Sequence, residues 1–217
     1  MKKYIAEFIG TYCLIFAGTG AVVINQASGG AITHLGIAIT FGLVVMAMIY
    51  TFGPISGAHM NPAVTVALAV AKKFPVKDIA PYALAQLAGA LLASGTLKFL
   101  FPENEFLGAT LPAGSEAQSL ILEFILTFIL MIVIMNVAFG SPEQGMFAGV
   151  VIGSVILLEA LFAGPICGAS MNPTRSLAPA IMSGHLEHIW LYIAGPVLGA
   201  VSAVFVWQYL SETKELA

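Results

Sequence analysis

Residues 53–62 read GPISGAHMNP and residues 164–173 read GPICGASMNP, identical at eight of ten positions. A chain carrying one decapeptide twice is built from two copies of one unit, so a local structure set by the first copy recurs in the second. Each copy ends in Asn-Pro, at Asn61-Pro62 and Asn172-Pro173, directly before a short apolar run. An Asn side chain accepts hydrogen bonds from the orphan N–H groups that open a helix, and Pro is tolerated at the first helical position. The spacing predicts two short helices, over about 61–71 and 172–182.

The solvent around those helices follows from the rest of the chain. It is 59% hydrophobic and 9% charged, against roughly 25% charged in soluble domains, so the expected class is all-α membrane protein. Apolar stretches at about 4–24, 33–52, 79–101, 118–139, 145–163 and 188–210 come near the ~20 residues that cross a ~30 Å hydrocarbon core as helix. The first stretch follows Met1-Lys2-Lys3 like a secretory leader, but its length, Glu7 and its later counterpart mark it as a retained span. Six crossings leave both termini on one side, together with Lys2, Lys3, Lys72, Lys73, Lys77 and Lys214, while Lys98 and Arg175 fall elsewhere. The lysine-rich side is expected to be cytoplasmic, in a multi-pass protein of the cell membrane. Trp190 and Tyr192 are expected at the outer interface, and Tyr4, Tyr50, Trp207 and Tyr209 at the inner one. A net charge of −3 gives no case for nucleic acid. Cys13 and Cys167 show no metal spacing or disulfide framework and serve as small apolar fillers.

The duplication extends beyond the decapeptides. Ala6-Glu7-Phe8 with Thr11 is echoed by Leu122-Glu123-Phe124 with Thr127, and Gly89-Ala90 by Gly199-Ala200. Residues 1–217 thus form one transmembrane domain of two repeats, about 1–101 and 118–210, each with three spans and one short helix. Three is odd, so the second repeat enters the membrane from the opposite side, and an inverted repeat places its site near the midplane. Eleven residues of helix reach ~16 Å, half the bilayer. The short helices are therefore re-entrant half-helices with their N-termini meeting at the centre. Loop backbone at that depth, at Gly57, Ala58 and His59 and at Gly168, Ala169 and Ser170, is tolerated where it lines a wet cavity or is buried in protein, and Gly57, Ala58, His59, Gly168 and Ser170 are expected to line such a cavity. The stretch 102–117, with Glu103, Glu105 and Glu116, is the longest expected outside the membrane.

Two helix N-termini facing each other create a positive zone that rejects cations. Asn61 and Asn172 can cap their own helices while offering amide N–H groups to a passing oxygen, forming a central constriction. Arg175 opens the second half-helix, where the dipole disfavours a cation and intramembrane charge is costly, so a functional donor toward the outer side is expected. Glu7 and Glu123 are related by the repeat and are expected to accept from loop backbone. Glu159 has no acidic twin. His59 is expected to border the cytoplasmic half of the lumen, with His34, His185 and His188 at the outer surface. Gly89, Ala93, Gly195, Gly199 and Ala203 permit close helix crossing.

Over nearly its whole length the sequence resembles the aquaporin-type major intrinsic proteins. The residues that carry the likeness are Ser56 to Ala63, Gly168 to Ser176, and the paired Glu7 and Glu123. The resemblance implies a homotetramer in the lipid bilayer with one pore per protomer and no cofactor, metal or energy coupling. It also implies a selectivity filter of Phe41, Ala160, Ala169 and Arg175. Water-selective members typically carry His where this chain has Ala160, and glycerol facilitators Asp where it has Ser176. The loop wording is similar to the nodulin-like subgroup and its bacterial relatives. That implies passage of water, glycerol, urea and uncharged metalloid hydroxides such as arsenous acid. Thr174 stands where the usual triplet has Ala and is expected to alter the lumen slightly.

Physically, Ala160 leaves a wider and less polar filter than His, with Phe41 as an apolar wall and Arg175 as a donor opposite. A small neutral hydroxylated solute suits such a ring, whereas an ion loses hydration without replacement. A mainly water-selective channel is the nearest alternative. A proton-coupled transporter using Glu7 and Glu123 is the alternative of another class, and it predicts uphill uptake. Nothing in the sequence pairs a nucleophile with a base as an enzyme would need.

Overall fold

The computed structural model describes residues 1–212 and holds nine α-helices within them: α1 Lys2–Ala27, α2 Thr33–Ser56, α3 Pro62–Val70, α4 Ile79–Leu100, α5 Glu116–Ala138, α6 Pro142–Met146, α7 Ala148–Cys167, α8 Pro173–Ser183 and α9 Ile189–Glu212. Six of these, α1, α2, α4, α5, α7 and α9, are long and apolar enough to cross a membrane. The half-helices α3 and α8 lie where the repeated Asn-Pro places them. Lys214, one of the lysines used to orient the chain, lies outside the described residues.

Each repeat packs in the same way. Helix α1 lies against α4 and α5 against α9, while α2 meets α7 across the repeats. Glycines set the two matching crossings: a Cβ on Gly89 would stand 2.2 Å from the Phe8 carbonyl oxygen, and one on Gly199 2.2 Å from that of Phe124. Any larger residue would force the helices apart, which makes these glycines close-approach points.

Helices α2 and α7 run further than the sequence suggests. The apolar stretches were expected to stop near 52 and 163, before Gly-Pro, yet the helices continue through Pro54 and Pro165 to Gly57 and Gly168, both at φ 86°. Proline removes one i→i−4 hydrogen bond, which frees a carbonyl at membrane depth. At α7 the His34 ring takes the carbonyl freed at Leu161, at 2.8 Å.

Two other expectations are corrected. Tyr192 is fully buried rather than interfacial, because α9 turns that position toward the second re-entrant loop, as α4 turns Tyr82 toward the first. The stretch 102–117 does not simply lie outside. Its Leu107 and Thr110 are buried, and the Ala113 N–H donates to the Ile166 carbonyl at 2.9 Å. The segment thus folds inward onto the end of α7.

Candidate functional site

The centre of the molecule is built by two loops of alternating handedness. After the left-handed caps Gly57 and Gly168, the loops place Ala58 (φ 49°), Met60 (φ 48°), Ala169 (φ 42°) and Met171 (φ 54°) in the left-handed region as well. Non-glycine residues persist there only when neighbouring groups over-determine the backbone. The determining groups are the two repeat-related glutamates. Glu7 accepts from the N–H groups of His59 at 2.9 Å and Met60 at 2.7 Å, from Ser56 Oγ at 2.8 Å and from Gln86 Nε2 at 2.8 Å. Glu123 accepts from the N–H groups of Ser170 and Met171, each at 2.7 Å. Both carboxylates are fully buried and stand behind the loops.

The loops are also locked to each other. Asn61 Nδ2 donates to the Met171 carbonyl at 2.7 Å, and Asn172 Nδ2 donates to the Met60 carbonyl at 2.8 Å. Each asparagine caps its own half-helix through Oδ1: Asn61 accepts from Ala63 N–H at 2.9 Å, and Asn172 from Thr174 N–H at 3.1 Å and Arg175 N–H at 3.4 Å. The amide group carries two N–H donors, so one bond across the junction leaves each asparagine a second.

A cavity of about 570 Å³ passes this junction. Asn61, Asn172, Phe41, Ala160, Ala169 and Arg175 all border it, although they come from five different elements or loops. Gly57, Ala58, His59 and Ser170 border it too, whereas Gly168 does not. Gly168 faces segment 102–117 instead: a Cβ there would stand 2.8 Å from Thr110 Cγ2. The carbonyls of Gly57, Ala58, His59, Ala169 and Ser170 accept no hydrogen bond from the described residues. Val45, Leu130, Ile134 and Ile152 form apolar parts of the same wall. A polar track of free carbonyls and amide donors beside an apolar surface suits an amphiphilic neutral molecule, because backbone polar groups at such depth need a partner.

The expected ring residues differ from the sequence picture in one respect. Phe41 and Arg175 do not face each other across a gap: the guanidinium carbon lies 4.9 Å from the ring centroid, a cation–π contact. Arg175 NH1 also donates to the Gly108 carbonyl at 2.8 Å, so segment 102–117 aims the guanidinium. Ser176 takes part in a hydroxyl chain in which Thr110 Oγ1 donates to Ser176 Oγ at 2.7 Å and Ser176 Oγ meets Ser170 Oγ. Thr174 does not touch the cavity. Its side chain is buried and turned inward, which corrects the expectation of an altered lumen.

Sequence reasoning missed Gln86, Tyr82, Gly108 and Thr110. Gln86 could have been suspected as a lone amide within an apolar run; a tyrosine hydroxyl bonding the Ser56 carbonyl at 2.9 Å gives no such signal. Glu159 is buried with no hydrogen-bond partner among the described residues at either oxygen, one residue from Ala160 yet off the cavity wall. His59 Nδ1 lies 3.1 Å from Thr65 Oγ1. No group of His, Cys, Asp and Glu among the described residues is arranged to hold a metal ion.

Comparison with known proteins gives consistent matches. A family model described as Major intrinsic protein matches residues 1–207. A rice protein (Oryza sativa subsp. japonica) named aquaporin NIP1-1 is 53% identical over 99% of this chain and 76% of its own length. Nodulin-26 of Glycine max is 47% identical over 98% of this chain and 79% of its own. The X-ray structure of the aquaglyceroporin from Plasmodium falciparum superposes with a TM-score of 0.88 at 27% identity, covering 100% of this chain and 99% of that one.

Proposed function

The chain belongs to the major intrinsic protein family, and on that premise we propose that the central cavity is its conduction path, with Asn61 and Asn172 as the central constriction and Phe41, Ala160, Ala169 and Arg175 as the selectivity filter. It is a multi-pass membrane protein and a passive channel for water, glycerol and small neutral solutes, not an enzyme. The proposed solute range extends to uncharged metalloid hydroxides such as arsenous acid. The assembly is a homotetramer with both termini in the cytoplasm.

The observation that carries this reading is the composition of the ring: two of its four residues are alanines, on one cavity with the asparagine pair. Arg175 spends one donor on Gly108 and has others to offer a solute oxygen. Phe41 gives an apolar surface beside it. A polyol or a metalloid hydroxide can present oxygens to the donors and its less hydrated face to the alanines and the ring. The positive ends of α3 and α8, together with Arg175, repel cations, and no carboxylate among the described residues borders the cavity to compensate.

Stopped-flow measurements on proteoliposomes, comparing water, glycerol and arsenous acid, test the proposal. All three are expected to equilibrate faster than in empty vesicles, with no response to an uncoupler. Water flux without glycerol or arsenous acid flux would favour the water-selective alternative.

A further inference from the structure

The third residue of the second Asn-Pro motif departs from the first: Thr174 stands where the equivalent residue is Ala63. Its hydroxyl donates to Asn172 Oδ1 at 2.8 Å. That oxygen therefore receives three donors, Thr174 Oγ1 with the N–H groups of Thr174 and Arg175, while Asn61 Oδ1 receives one, from Ala63 N–H. Nδ2 of each asparagine makes the same bond across the junction. The two donors at the constriction are thus alike toward each other and unlike in how they are held.

We infer that Thr174 is a positioning residue that clamps Asn172 and makes it the stronger and more rigid of the two donors met by a permeating molecule. Two physical effects act in the same direction. The terminal torsion of an asparagine is broad when unrestrained, and a hydroxyl on Oδ1 fixes it from the side opposite Nδ2. A donor on the oxygen of an amide also draws electron density from its nitrogen, so the remaining N–H becomes a better donor through hydrogen-bond cooperativity. Thr174 is 3% exposed and off the cavity wall, so it acts through Asn172 rather than by touching solute. A polyol surrenders more hydration at the constriction than a water molecule and fits it in fewer orientations. It therefore depends more on one well-aimed donor.

This inference rests on the assignment of Asn172 to the conduction path, and the experiment separates the two. Glycerol and water fluxes are measured in proteoliposomes for the parent, Thr174→Ala, Thr174→Val and Thr174→Ser. Loss of one neutral hydrogen bond is expected to lower the glycerol-to-water flux ratio about threefold in the Ala and Val variants, with Ser restoring it. A purely structural role would lower both fluxes together and leave the ratio unchanged, which would overturn the clamp; so would a Ser variant that behaves like Val. In parallel, protein labelled with nitrogen-15 at its five asparagines is examined by NMR in lipid nanodiscs. Thr174→Ala is expected to move the side-chain amide signals of Asn172 toward those of Asn61, and an unmoved Asn172 signal contradicts the proposal whether or not the parent conducts glycerol. A parent that conducts no glycerol while its Asn172 signal shifts as expected would fault the conduction assignment and leave the clamp standing.

Discussion

The first re-entrant loop hangs from a carboxylate with four donors, the second from a carboxylate with two. Where Ser56 and Gln86 reach Glu7, the second repeat has Cys167 and Pro196, a weak donor and a residue with no side-chain donor. Tyr82 bonds the Ser56 carbonyl, whereas the hydroxyl of its counterpart Tyr192 bonds no backbone carbonyl among the described residues. The second loop is held instead from segment 102–117, through Thr110 to Ser176 and Ser170 and through Gly108 to Arg175. Two nearly identical loop backbones thus rest on different supports. The second, which carries Ala169 and leads into Arg175, lacks the closed polar hub of the first and is tied to a segment outside the spans.

The largest test of that difference replaces each carboxylate by its isosteric amide. Glu7→Gln replaces one acceptor oxygen by an NH2 group that faces two donors, and Glu123→Gln by one that faces a single donor, at roughly 1–3 kcal/mol for each buried donor left unpaired. The melting temperature in detergent is expected to fall for both and further for Glu7→Gln; the reverse order would break the comparison. Thr110→Val comes next. It removes one bond of the hydroxyl chain, about 1 kcal/mol, and should lower glycerol flux by displacing the proposed filter while the Glu7 loop keeps its amide protection in hydrogen exchange. The smallest effects are gains or near-neutral changes. Cys167→Ser would give Glu123 the hydroxyl that Ser56 gives Glu7 and should raise the melting temperature. Glu159→Met removes a buried carboxyl with no partner and is expected to leave the protein as stable or more so, since an apolar group of similar size avoids the desolvation cost.

Much of this arrangement was legible in the sequence, and for a physical reason. The Asn-Pro starts, the glutamate pair and the glycine crossings are written twice, and a feature repeated in an inverted duplication is constrained by both copies. What escaped depends on contacts between elements, which the repeated motifs do not encode. Segment 102–117 has the glutamates and prolines of an exposed loop, and only Leu107 and Thr110 hint that it is tucked in. Tyr192 carries an aromatic ring near the end of a span, which suggests an interfacial belt, and its burial depends on how α9 turns against α5. Gly168 was expected on the cavity wall with its loop, but a left-handed cap points its missing side chain at Thr110. Hydrogen bonds between the two loops, such as Asn61 to Met171, join residues 110 positions apart and leave no local pattern to read.

The filter assignment is the centre of the account, and Ala160→His tests it most directly. The imidazole would add bulk and a second polar group beside Arg175 on the wall that Ala160 now leaves open. In stopped-flow proteoliposome assays, with assembly verified by size-exclusion chromatography, glycerol and arsenous acid flux should collapse while water flux survives. A correctly assembled Ala160→His protein that passes glycerol and arsenous acid as fast as the parent would contradict the account.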